Sequence, residues 1–195
     1  MVRYLDLKPA PHEGPMSLPE YRAEGNSPHI AIVPCSRWST KNWPPERFAD
    51  VASQMMARTG GTVYVIGGPD DAEVCSQIVA GSSGAVNLCN RTTIAEMAGV
   101  LHAVDLVISV DTGPMHVAAA TGTPVLAIFG ATDPLLTRPY GDGHEVLTTV
   151  DLSCRPCVSR QCARGDLACL TRIEVATVVH AAERMLRERR GAAGP

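Results

Sequence analysis

Residues 107–122 read V-I-S-V-D-T-G-P-M-H-V-A-A-A-T-G, and the rest of the chain is organised around this stretch. An apolar, β-branched run, Leu106 to Val110, stops at Asp111, Thr112, Gly113 and Pro114. A segment of small residues follows, so the stretch reads as strand, tight turn and helix. Asp111 or Thr112 is placed to cap the helix, Gly113 permits close backbone approach, and Pro114 suits a first turn in which its missing N–H would be unpaired anyway. Ala118, Ala119 and Ala120 make a helix thin enough to lie close on a sheet, and Gly122 ends it. A helix start of this kind offers free backbone N–H groups and the positive end of a macrodipole, a seat for phosphate to which His116 adds a donor. Taken alone, such a turn fits any α/β protein.

Working outward, His29–Val33 is a short apolar run followed by the loop P-C-S-R-W-S-T-K-N-W-P-P (34–45). Residues 46–58 carry Phe48, Val51, Ala52 and Met55 at helical spacing, and Gly60 and Gly61 stop them. A second strand spans 62–66, turned by Gly67, Gly68, Pro69, Asp70 and Asp71 into a helix reaching Val79. A short strand at 86–88 comes next. Thr93 and Glu96 form a capping box for a helix to Val104, and strands follow at 106–110 and 124–129. Five strands alternating with helices indicate βαβ units and a doubly wound, Rossmann-like parallel sheet. Residues 131–144 read as a loop and 145–149 as a sixth strand. In such sheets ligands sit outside the carboxyl ends of the strands, where the polar loops of this chain coincide.

Composition narrows the function. The chain has 195 residues, 45% hydrophobic, enough for one core, and its formal charge of −3 gives no case for nucleic acid. No run approaches the ~20 apolar residues of a membrane span, and no signal-peptide pattern opens the sequence, so a cytoplasmic location is expected. Neither a Walker A motif nor G-x-G-x-x-G follows a strand. Lys41, on a loop with Ser36, Ser39 and Thr40, is suited to phosphate oxygens, with a second contact at the Gly113 helix start. Asp70, Asp71 or Glu73 is a partner for ribose hydroxyls by analogy with other nucleotide-binding folds. Seen one at a time, Lys41 is better read as a solvated surface lysine and the acids as a helix start matched to its dipole.

The proline-rich residues 1–28, with a strand-like run at 2–7, are expected to be a linker or the end of something missing upstream. Residues 29–190 form the binding domain. Cys154, Cys157, Cys162 and Cys169, spaced C-x2-C-x4-C-x6-C in a loop at 154–169, are candidates for a structural zinc site. Reduced thiols or a redox disulfide are the other readings. A last helix at 173–189, capped by Thr171 or Glu174, carries the stripe Val175, Val178, Ala182 and Met185 or Leu186. Its Arg184, Arg187, Arg189 and Arg190 are either a solvated helix end or a contact for anionic lipid.

The segments 34–48, 67–73, 87–97, 110–124 and 127–134, in this order, resemble glycosyltransferase family 9, the heptosyltransferases of lipopolysaccharide inner-core assembly. The resemblance spans about residues 29–185. It implies the C-terminal donor-binding domain of a GT-B enzyme, one that takes a nucleotide sugar such as ADP-heptose for inverting transfer to a lipid A-core acceptor, without a required cofactor. It further implies that Lys41, Thr112, Gly113 and His116 contact the diphosphate and that Ser36 is a hydroxyl of the donor loop. Asp111 would face the sugar, Glu73 or a neighbouring acid the ribose, and Arg91 and Thr92 the base. Arg37 and Cys35 depart from the small residues common at their positions. The general base is expected from an N-terminal domain, making this sequence a fragment that binds donor, with peripheral contact to the inner membrane. A non-enzymatic nucleotide- or zinc-binding module is the alternative.

Overall fold

The computed structural model describes residues 17–192, so the strand-like run expected at 2–7 lies outside the described residues. Six parallel strands form one sheet: β1 (His29–Val33), β2 (Thr62–Val65), β3 (Val86–Asn87), β4 (Leu106–Val110), β5 (Val125–Phe129) and β6 (Glu145–Thr148). They lie in the order β3-β2-β1-β4-β5-β6. The helices are α1 (Pro45–Thr59), α2 (Ala72–Gly81), α3 (Ile94–Ala103), α4 (Gly113–Ala120), α5 (Pro134–Thr137), α6 (Ala168–Thr171) and α7 (Val175–Ala192). β4 and β5 are buried at every position, which is why they read as unbroken apolar runs rather than alternating ones.

Two apolar layers sandwich the sheet. On one face α1, α2 and α7 cover Ile30, Ile32, Val63, Ile108 and Ile128; on the other α3 and α4 cover Ala31, Val107, Val125 and Phe129. The helix boundaries follow their punctuation. Gly60 takes the left-handed conformation (φ 69°) that ends α1, and Gly122 (φ 80°) lets the chain leave α4. Thr93 and Glu96 form the expected capping box at α3.

The long connection at 131–144 carries one short helix, α5, capped by the Asp133 side chain, which sequence patterning did not reveal. A second unexpected turn of helix, α6, precedes α7. Residues 17–28 are packed on the domain. The Pro19 carbonyl lies against Gly99, where a Cβ would meet it at 2.3 Å, and Tyr21 stands edge-on to Tyr64.

The arginines of α7 mark the rim opposite the loops that follow the strands. Arg184 pairs with Glu145 at the start of β6, and Arg189 donates to the carbonyls of Val104 and Asp105, just before β4. These two guanidiniums tie the helix to the sheet.

Candidate functional site

The sheet order reverses between β1 and β4, whose onward connections leave to opposite faces and open a crevice at their carboxyl ends. The loop after β1 forms one wall and the start of α4 the other. Several contacts shape the first wall. Asn42 clasps Ser36, its Oδ1 accepting from the Ser36 N–H at 2.7 Å and its Nδ2 donating to the Ser36 carbonyl at 3.1 Å. Trp43 is buried, stacks edge-on against Phe48 at 5.0 Å, and donates Nε1–H to the Ile173 carbonyl at 3.2 Å. Between these two anchors a 3-10 turn, Ser39–Lys41, presents the lysine.

Lys41 reaches across the crevice. Its Nζ lies 2.8 Å from Asp111 Oδ2, and the Thr132 hydroxyl donates to the same oxygen at 2.6 Å. Asp111 is only 3% exposed, so its charge is held by these two contacts rather than by water. Loops after β1, β4 and β5 thus meet at one carboxylate. Asp111 grips the lysine through Oδ2.

At the other wall Thr112 occupies the N-cap of α4 in extended conformation, but its hydroxyl makes no cap bond. The expected side-chain cap from Asp111 or Thr112 is therefore not formed. A Cβ on Gly113 would meet nothing within 4 Å, so the glycine is not required by packing. His116 is exposed on the first turn of α4.

The remaining candidates lie along the same rim. Asp71 caps its own turn, accepting the Gly68 N–H at 2.8 Å, which leaves Asp70 and Glu73 exposed after β2. Arg91 is exposed and Thr92 half-buried after β3, two strand spacings (about 10 Å) from β1. Arg37 is exposed beside the half-buried Ser36.

Sequence reasoning missed the strap at 151–169 that holds this rim from behind. Thr40 Oγ1 donates to the Ser159 carbonyl at 2.6 Å, while the N–H groups of Cys157 and Val158 both donate to the Ala131 carbonyl at 3.0 Å. Arg155 donates to the carbonyls of Gly130 (2.6 Å), Thr149 (2.5 Å) and Thr132 (3.2 Å). No local signal announces these contacts, the longest of which, Thr40 to Ser159, spans 119 residues.

Within the strap the four cysteines ring one small cavity, about 20 Å3, and all are free thiols. Cys169 belongs to the apolar core, whereas Cys154 and Cys157 are exposed. Among the described residues no three His, Cys, Asp or Glu side chains stand together so as to hold a metal ion. The candidate zinc set is thus not assembled as a metal-holding group among the described residues, although the four thiols line one cavity. A disulfide is not formed either.

The Cys162 thiol is held below its ordinary range, chiefly by the Leu167 N–H and also by those of Arg164 and Gly165. Burial raises the Cys35 thiol to about 12 and Cys75 higher still. Since only the thiolate reacts, iodoacetamide at neutral pH should label Cys162 well before Cys35 or Cys75. Peptide mapping by mass spectrometry checks the order, and equal labelling of all three would contradict it.

A six-stranded parallel sheet with helices on both faces and its strand order reversing beside Lys41 and Asp111 defines the Rossmann-like class of fold, in which ligands are held outside the carboxyl ends of the strands. The family is shown by sequence: the model for glycosyltransferase family 9 (heptosyltransferase) matches residues 10–168, and the chain belongs to that family. It is 32% identical over 140 residues to lipopolysaccharide heptosyltransferase 1 of Pseudomonas aeruginosa, covering 72% of this chain and 39% of that protein. A glycosyltransferase family 9 structure from Veillonella parvula superposes with a TM-score of 0.72 at 30% identity, over 82% of this chain and 46% of the other. The ADP-heptose heptosyltransferase II of Escherichia coli has the same fold, with a TM-score of 0.72 at 23% identity, over 84% of this chain and 47% of that one. The chain spans less than half the length of each of these three proteins.

Proposed function

We propose that this chain is the donor-binding half of a heptosyltransferase, seating ADP-heptose or a closely related nucleotide sugar in the crevice between β1 and β4. The observation that carries the reading is the Lys41 ammonium, held 2.8 Å from Asp111 directly beside the start of α4. Lys41, the α4 N-terminus and His116, on the neighbouring loops after β1 and β4, would then offer charge and donors to the oxygens of a diphosphate. Asp111 and Thr132 fix the lysine there. Along the rim, moving outward through β2 and β3, come Ser36 and Arg37, then Asp70 and Glu73, then Arg91 and Thr92. That is the order of phosphate, ribose and base in a nucleotide laid across the sheet.

In the inverting reaction an acceptor hydroxyl attacks the anomeric carbon, its proton passes to a general base, and the bond from that carbon to the diphosphate oxygen breaks. Negative charge gathers on the leaving diphosphate, and the residues named here stabilise it. The acceptor, an inner-core lipid, and the base are assigned in this reading to an acceptor domain that residues 1–28 would join to the donor half. Such an enzyme works in the cytoplasm at the inner face of the membrane. Among the described residues no helix is long and apolar enough to cross a membrane.

Isothermal titration of the chain with ADP tests the proposal. A saturable heat, with adenosine binding at least tenfold more weakly, is expected; absence of binding at millimolar ADP would overturn it.

A further inference from the structure

The seat just described is nearly neutral, because the lysine that reaches it is paired with Asp111. A nucleoside diphosphate brings at least two negative charges, so one compensated lysine, an imidazole and a helix end leave it under-matched. The strap carries another cation to the same loop. The Arg160 guanidinium lies over the Trp38 indole, 5.2 Å from the ring centroid, and Lys41 Nζ lies 5.0 Å from the same centroid. Sharing one ring places the two cations within about 10 Å of each other. Trp38 and Lys41 belong to the loop after β1 that forms the crevice wall, so Arg160 stands against that wall.

Its backbone is fixed: the Ser39 hydroxyl donates to the Arg160 carbonyl at 3.4 Å, and Thr40 to the preceding carbonyl at 2.6 Å. Its charge is not spent. Arg164 and Arg184 each have a carboxylate partner, whereas among the described residues Arg160 has none. An exposed guanidinium resting on an aromatic face retains a full set of N–H donors for a bidentate contact with phosphate.

We propose that Arg160 is a specificity-determining residue of the donor seat, supplying the uncompensated positive charge that selects diphosphates over monophosphates. This deepens the donor-site reading and rests on it. Lys41 and the start of α4 take the inner part of the diphosphate, and Arg160 closes over its solvent side. Trp38 keeps the guanidinium in place without neutralising it.

Titration calorimetry on the whole chain with ADP and AMP at several salt concentrations tests the idea. In Arg160→Ala, ADP affinity is expected to fall about tenfold and AMP affinity less than twofold, with a shallower dependence of log affinity on log salt. Arg160→Lys, which keeps the charge but loses the planar fork, should recover part of the loss. A merely structural role predicts instead equal losses for ADP and AMP, with an unchanged salt slope, and that outcome overturns the proposal. So does ADP affinity within twofold of the parent in Arg160→Ala while Lys41→Ala is impaired; the donor-site reading then survives alone. If the parent chain binds no ADP, both fall together.

Discussion

Replacing Lys41 with alanine is expected to weaken ADP binding at least a hundredfold, which corresponds to about 2.7 kcal/mol. The substitution removes the cation from the inner seat and also strands Asp111, 3% exposed, with only the Thr132 hydroxyl. A buried carboxylate left without its cation costs on the order of 3–5 kcal/mol, so stability should fall as well. The two effects separate in the double variant Lys41→Ala with Asp111→Asn. The neutral amide relieves the stranded charge and should recover most of the thermal stability, but it returns no cation, so ADP binding stays lost. Calorimetry beside thermal unfolding decides the point. Recovery of binding in the double variant would show that the lysine serves only to neutralise the aspartate.

The second large effect is expected at Gly130, where the loop after β5 passes under the lysine turn. A Cβ there would lie 2.5 Å from the Thr40 carbonyl oxygen and 2.8 Å from Leu170 Cγ. The leucine has room to turn, but the carbonyl belongs to the backbone that presents Lys41, so Gly130→Ala should push that turn off its register. Overpacking of this kind costs about 1–3 kcal/mol, which for a domain of this size lowers the unfolding midpoint by roughly 3–10 °C. ADP affinity should drop at least tenfold in the same variant. Gly113→Ala is the contrasting substitution. Its Cβ meets no protein atom within 4 Å, so the midpoint should hold while ADP affinity falls, the methyl group occupying the approach to the helix start. Loss of stability in Gly113→Ala, or its retention in Gly130→Ala, would contradict this account.

Most of the sheet could be read from the sequence because its signals are local. β1 and β4 have the expected ends because β-branched runs stop at Pro34 and Asp111, and Thr93 with Glu96 announces α3 within four residues. The helices α5 and α6 escaped because four residues are too few to show a period of 3.6. Lys41, Gly113 and His116 stand on one rim because fold topology alone brings the ends of neighbouring parallel strands together. Thr132, Arg155 and Arg160 were out of reach, each acting on a partner chosen by tertiary packing. The cysteines show the reverse error. Four thiols within sixteen residues look like a ligand set in one dimension; folding brings all four around one small cavity, with Cys169 in α6 buried and Cys154 and Cys157 exposed, yet among the described residues no metal-holding group of three is formed.

The strap grips the rim largely through main-chain atoms: it offers the carbonyl of Ser159 to Thr40, and its own N–H groups and Arg155 seek the carbonyls of Ala131, Gly130 and Thr132. Handles of that sort exist whatever side chain a position bears. Mutational drift at the exposed positions of 151–169, Arg155 and Arg160 apart, should therefore leave the lysine beneath the segment in place, while Leu152, Ala168 and Cys169 stay bound to the core.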